Sequence, residues 1–112
     1  MKNPSKVDLL AGMLDLLALK ILANGPLHGY GIAKRLQELS EGQLLVEEGS
    51  LYPALYRMEK RGWITSQTRT SQNNRRARYY RLTLDGRKQL AEEERVWAGF
   101  SEVVSKVLEG AH

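Results

Sequence analysis

The stretch GSLYPALYRMEKRGW, residues 49–63, decides how the chain is to be read. Leu51, Leu55 and Met58 recur at helical spacing, while Gly49 opens the run and Pro53 stands inside it. Proline lacks an N–H, and the first turn of a helix is where that loss has no consequence. With Gly49 or Ser50 as the cap, Pro53 falls in the first turn and the helix runs from Ser50 to Arg61. Gly62 supplies the left-handed residue that ends it, and Lys60 and Arg61 lie on the negative end of its dipole. Leu51, Leu55 and Met58 bury one side, and the start of the helix, with Ser50 and Tyr52, is left facing outward.

Upstream, Asp8 is placed to cap a first helix running to Ala23. Its Leu9, Leu10, Met13, Leu14, Leu16, Leu17, Ile21 and Leu22 cover more than half the circumference, so it should be buried on nearly all sides. Asn24-Gly25-Pro26 stops it by turn chemistry. A second helix follows from Gly29 to Leu39, with Ile32, Ala33, Leu36 and Leu39 facing inward and Ser40-Glu41-Gly42 at its end. Downstream, Trp63-Ile64-Thr65 and the run Ala77–Thr83 are β-branched and aromatic, on either side of the polar tip TSQNNRR. They predict a hairpin with Asn73-Asn74 near its turn, since asparagine tolerates positive φ. A long helix from Asp85 to Glu109 closes the pattern. The predicted fold is mainly α with a small β-hairpin: a winged helix-turn-helix over residues 1–84, and a C-terminal helix over residues 85–112.

Composition narrows the chemistry. The 112 residues suit one folding unit and include no cysteine, so disulfides, thiol catalysis and cysteine-based metal sites are excluded. The most apolar stretch, LLAGMLDLLALKILA at 9–23, is interrupted by Asp15 and Lys20 and falls short of the ~18–20 apolar residues that span a bilayer. No signal-peptide layout is present, and a cytoplasmic location is expected. His28 and His112 have no metal-ligand partner at i+3 or i+4, and Glu92-Glu93-Glu94 diverge around a helix. The GYG at 29–31 follows no strand and lacks a P-loop lysine. No enzyme activity, metal or cofactor is expected, and His28 reads as a capping or surface histidine.

Charge points to a partner. The net charge of +4 is modest, but no acid lies between Lys60 and Asp85, where Arg61, Arg69, Arg75, Arg76, Arg78 and Arg81 all fall. Such asymmetry marks either a face for an anionic partner or a solvated hairpin that happens to be basic. Arg75, Arg76 and Arg78, beside Asn73 and Asn74, suit phosphates or a narrow minor groove. Ser50, Tyr52 and the backbone N–H groups at the start of the third helix suit phosphates or base edges. Tyr30 and Lys34, one turn apart on the second helix, reach toward the adjoining backbone. Arg57 is read either as a phosphate contact or as a solvated residue, and Tyr56 as core packing. Glu47 and Glu48 run the other way: they suit the helix dipole but repel phosphates, unless they turn aside or one accepts from a cytosine amino group.

The last helix carries its own signal. Leu90, Trp97 and Val104 recur every seven residues, Phe100 and Val107 follow the latter two by three, and Val96, Val103 and Leu108 widen the stripe. Glu93 stands where a coiled-coil seam would have an apolar residue. With no core left to cover this face, a homodimer is the economical solution, with the first helix, through Met13, adding to the pad. A two-fold dimer also fits duplex DNA, whose half-sites repeat about every 34 Å.

The segments HGYGIAKRL (28–36), EGSLYPALYRMEKRGWI (48–64) and RARYYRLTLDGRKQL (76–90) together resemble the PadR family of bacterial transcriptional regulators, in its short form. The resemblance covers most of the chain. It implies a dimeric winged-helix repressor that binds a palindromic operator on double-stranded DNA and releases it when an effector arrives. Carried over by position, the DNA contacts would be Tyr30, Lys34, Gly49, Ser50, Tyr52, Pro53 and the wing tip at Asn74, Arg75, Arg76 and Arg78. Tyr80, Leu82 and Thr83 would pack the wing on the helical body. Some drug-sensing members hold flat hydrophobic ligands between paired indoles at the dimer interface. Trp97 stands in a comparable place, either packing that interface or holding such a molecule, with Phe100 and Met13 as neighbours.

Overall fold

Residues 12–70 and 72–111 are described by a computed structural model. Its elements run α1 (Met13–Leu22), β1 (Leu27–His28), α2 (Gly29–Leu39), α3 (Glu48–Lys60), β2 (Ile64–Thr70), β3 (Arg76–Leu82) and α4 (Leu84–Gly110). The predicted winged helix-turn-helix with a long appended helix is the architecture seen, and the details differ where local chemistry overrides pattern.

Among the described residues α1 starts at Met13, with Gly12 in the cap position at φ 89°; the expected cap Asp8, with Leu9 and Leu10, lies outside them. Leu14, Ala18, Leu19, Ile21 and Leu22 are buried and Leu16 and Leu17 half-buried, which puts α1 at the centre of the core. α2 has the predicted span, and His28 caps it: its Nδ1 accepts a hydrogen bond from the Gly31 N–H at 2.8 Å. Leu39, expected inside, is exposed, because it is the last residue of α2 and overhangs the connector beyond Leu36.

α3 also starts elsewhere. The Glu47 carbonyl accepts from the Ser50 and Leu51 N–H groups at 3.0 Å each, so the helix begins at Glu48. Pro53 is therefore its sixth residue, in the second turn and not the first. There it removes a real hydrogen bond, the one to the Gly49 carbonyl, and the neighbouring turns hold the helix despite it. At the other end Gly62 has φ 81°, and the Trp63 and Gly62 N–H groups bond to the Met58 and Glu59 carbonyls at 3.0 Å each. That left-handed stop turns the chain directly into the wing.

The sheet has three antiparallel strands in the order β1-β3-β2, one more than the predicted hairpin. Leu27 pairs with Tyr80 and His28 with Tyr79; a two-residue strand has no periodicity to detect. The hairpin is longer than predicted, with Ile64 opposite Leu82 and Thr70 opposite Arg76. Asn74 takes φ 62° at its tip, the conformation asparagine tolerates there.

Thr83 joins wing to last helix. Its N–H bonds to the Trp63 carbonyl at 3.0 Å, its hydroxyl donates to the Gly62 carbonyl at 2.6 Å, and its Oγ1 accepts from the Gly86 N–H at 3.0 Å as the cap of α4. α4 is pressed so tightly on this corner that a Cβ at Gly86 would lie 2.0 Å from the Trp63 carbonyl oxygen. Leu90, expected at a dimer interface, is 6% exposed in the chain's own core: it is one turn past Gly86, where α4 still lies against the body. Further along, α1 and α4 are tied by Lys20 and Glu94 at 3.1 Å. Beyond that tie the apolar side chains of α4 are exposed.

The corner makes a prediction. Gly86→Ala should lower the unfolding free energy in urea by about 1–3 kcal/mol or more, since backbone cannot yield to the new methyl. Gly99→Ala, in the same helix with open space around it, should be neutral or stabilising by up to about 1 kcal/mol. Equal midpoints for Gly86→Ala and wild type would contradict the close approach.

Candidate nucleic-acid interface

α3 has two faces. Leu51, Ala54, Leu55 and Met58 are buried, and the opposite stripe of Gly49, Tyr52, Pro53, Tyr56 and Lys60 is exposed. Tyr56, read as a core residue, is 63% exposed, because the apolar stripe already fills the space beneath the helix and Tyr56 lies across the axis from Met58. The Lys60 ammonium lies 5.3 Å from its ring centroid, a cation–π arrangement. Tyr56 and Lys60 therefore join the outward face that sequence reading restricted to the helix start. Their spacing from Gly49 and Tyr52 is the signal that could have found them.

The start of α3 presents Gly49 and Ser50 to solvent; the Ser50 N–H bonds to the Glu47 carbonyl, and the N–H groups ahead of it in the first turn can meet an anion. Glu48 stands in that turn, and Glu47 is the cap residue without a capping side-chain bond; both are exposed. Tyr52 leans toward α2. A Cβ at Gly29 would lie 2.7 Å from its ring and hydroxyl, so the Tyr52 ring occupies the space that a side chain at residue 29 would take. This contact lies between α2 and α3, the helix-turn-helix pair.

The wing meets α3 at Tyr80. Burial pushes the Tyr80 phenol above its ordinary value; the Arg78 guanidinium opposes that rise, and Glu59 and Tyr52 add to it. Those neighbours place α3, through Glu59 and Tyr52, beside β3. Ser66 on β2 reinforces the joint by donating to Glu59 Oε2 at 2.6 Å. Strand alternation then sorts the arginines. Arg76 and Arg78 share the face of Tyr80 and Leu82, toward α3, while Arg69 and Arg81 share the opposite face with Tyr79. Arg69 stacks 4.3 Å from the Tyr79 ring, and Tyr79 meets His28 edge-on at 5.2 Å. His28 in turn lies 6.1 Å from Tyr30.

The predicted contact residues are thus partly gathered. Gly49, Ser50, Tyr52 and Pro53 on α3, and Tyr30 and Lys34 on α2, are all exposed, and so are Asn74, Arg75, Arg76 and Arg78 on the wing. Arg57 departs from this set. Its guanidinium turns to α1, where it donates to Asp15 Oδ1 at 2.6 Å.

On α4, Trp97, Phe100, Val104, Val107 and Leu108 are exposed, and Trp97 and Phe100 lie 6.4 Å apart between ring centroids. Met13 is half-buried on α1. Among the described residues no group of three or more His, Cys, Asp or Glu is placed to hold a metal, and no helix is long and apolar enough to cross a membrane.

Comparison with known proteins matches residues 18–92 to the family model described as the transcriptional regulator PadR-like family. The transcriptional regulator Rv3488 of Mycobacterium tuberculosis is 36% identical over 88 residues, 79% of this chain and 76% of that protein. The crystal structure of a PadR family transcription regulator from hypervirulent Clostridium difficile R20291 is 34% identical, with a TM-score of 0.76 over 87% of this chain and 99% of that one. A transcriptional regulator from Clostridium thermocellum is 30% identical, with a TM-score of 0.78 over 85% of this chain and 89% of that one.

The α2–α3 contact can be tested by a double-mutant cycle. Gly29→Ala should destabilise the wild type by displacing the Tyr52 ring, yet be neutral or stabilising by up to about 1 kcal/mol in a Tyr52→Ala background. The same cost for Gly29→Ala in both backgrounds, measured by urea unfolding, would show that the ring is not what excludes a side chain.

Proposed function

The chain belongs to the PadR-like family of transcriptional regulators, which makes it a DNA-binding regulator of transcription, and we propose that it acts as a homodimeric repressor on a palindromic operator. In this reading residues 1–84 form the DNA-binding unit and residues 85–112 the dimerisation helix. The start of α3, with Gly49, Ser50, Tyr52 and Pro53, enters the major groove. Tyr30 and Lys34 hold the adjoining phosphates, and Asn74, Arg75, Arg76 and Arg78 follow the backbone or the minor groove beside it.

One observation supports the reading: Ser66, opposite Tyr80 in the sheet, donates to Glu59 of α3, so the strand face that carries Arg76 and Arg78 is the one turned toward α3. A helix start that offers N–H groups, with an arginine-bearing strand beside the same helix, is complementary to a duplex backbone and the groove it borders. Tyr56 and Lys60 extend that surface along α3.

The exposed stripe from Trp97 to Leu108 supports the dimer, since so large a continuous apolar face is unusual on a monomer. Met13, Trp97, Phe100, Val104, Val107 and Leu108 would form the interface, without Leu90. A flat hydrophobic molecule stacked on Trp97 beside Phe100 is the effector that this arrangement fits, and its arrival would release the operator.

Fluorescence anisotropy with a duplex from the promoter region of its own gene tests the proposal. Affinity should fall about 10³- to 10⁵-fold between roughly 50 and 200 mM salt if about 6–10 phosphates are neutralised. Replacing Arg75, Arg76 and Arg78 together with alanine should weaken binding to every duplex, whereas Tyr52→Ala should weaken the specific site most. A salt-insensitive complex, or full affinity in the triple variant, would contradict the proposal.

A further inference from the structure

Asp15 is the one buried charged residue among the described residues, 5% exposed on the buried face of α1. A carboxylate there needs a partner, because an unpaired buried charge is strongly unfavourable. Arg57, from the flank of α3 between its buried and outward faces, supplies it at 2.6 Å. The site is a meeting point of three helices. Glu93 on α4 is half-buried and accepts from the Gln89 amide at 3.3 Å. Burial raises its carboxyl above the ordinary value; Gln89 opposes this, Asp15 adds to it, and Arg61 of the α3–β2 turn opposes it, so all of these groups lie within electrostatic reach.

The Arg57 guanidinium is thus engaged by Asp15, although the arginine side chain stays 44% exposed. We infer that Asp15 and Arg57 are a positioning pair: the ion pair sets how α3 is seated on α1 and therefore how its outward face meets DNA. This rests on the DNA-binding reading above and departs from it in one respect: Arg57 acts on DNA through Asp15, and not by touching the backbone. Glu93 is one helical turn before Trp97, and Met13 is two residues before Asp15. Asp15 therefore lies on the helix that also carries Met13 and the Lys20–Glu94 tie to α4.

The test uses full-length wild type, Asp15→Asn, Arg57→Gln, Arg57→Lys and the Asp15→Asn/Arg57→Gln double variant. Each is titrated against its own promoter duplex and against a shuffled duplex of equal length, across a salt series, with thermal unfolding confirming that it is folded at the assay temperature. Asp15→Asn is near-isosteric, so it keeps the test usable where an Arg57 variant does not fold. Asp15→Asn and Arg57→Gln should each lower affinity for the promoter duplex by about 5-fold or more. Their double variant should lose no more than the weaker of the two, Arg57→Lys should recover part of the loss, and affinity for the shuffled duplex should stay unchanged. The salt slope should remain that of the wild type.

A pair that only stabilises the fold would leave the affinity of folded protein unaltered in every variant, and that result overturns the inference. It is equally overturned if Arg57→Gln reduces the salt slope by about 0.9 while Asp15→Asn binds normally, since that is the loss of one phosphate contact. A wild type that binds neither duplex defeats the DNA-binding reading itself, a pattern distinct from both.

Discussion

Four side chains on one stripe of α3, Leu51, Ala54, Leu55 and Met58, are almost wholly withdrawn from water, and this burial dictates the orientation of everything across the axis. Once they are packed between α1, α2 and the sheet, which face of the helix turns inward is set. Gly49, Tyr52, Pro53, Tyr56 and Lys60 are then outward by geometry, whatever their chemistry. Two further contacts hold the helix by its flanks, Tyr52 over Gly29 toward α2 and Arg57 on Asp15 toward α1. A recognition surface requires this rigidity, because base edges discriminate only when donors and acceptors arrive in register.

The wing and the last helix hang on the same corner. Gly62 ends α3, Trp63 begins the turn into β2, and Thr83 bonds to both of their carbonyls while capping α4. The start of α4 is therefore referenced to the end of α3 through a few backbone groups, with Gly86 allowing the approach. Leu90 completes the core at this level. Past Glu94 the helix leaves the body, and the same heptad spacing that buries Leu90 exposes Trp97 and Val104. One helix serves two purposes, and the division falls where its support ends.

Much of this was legible in the sequence. Three helices, a hairpin and a long helix follow from period and punctuation, and Gly62, Asn74 and His28 take the roles their chemistry suggests. The misses share a cause, since each depends on a partner far along the chain. β1 exists because Tyr79 and Tyr80, about fifty residues away, pair with Leu27 and His28. Asp15 looks like an interruption of an apolar run until Arg57 is folded against it. Tyr56 and Leu39 are apolar enough for a core, and only the completed packing shows that the core has no room or reach for them. The start of α3 was misplaced for a different reason: Glu47 is a poor side-chain cap, and its carbonyl alone marks the first turn.

In the proposed dimer, two α3 helices held by one α4 interface would meet successive turns of a duplex. Hydroxyl-radical footprinting of the promoter duplex examines this, with wild type beside Trp97→Glu/Val104→Glu, whose sedimentation is followed in parallel. Wild type should sediment as a dimer and protect two tracts centred about one helical turn, roughly 34 Å, apart on an inverted repeat. The variant should sediment as monomers or aggregates and lose the paired protection. A single protected tract from wild type, or unchanged paired tracts from a monomeric variant, would contradict it.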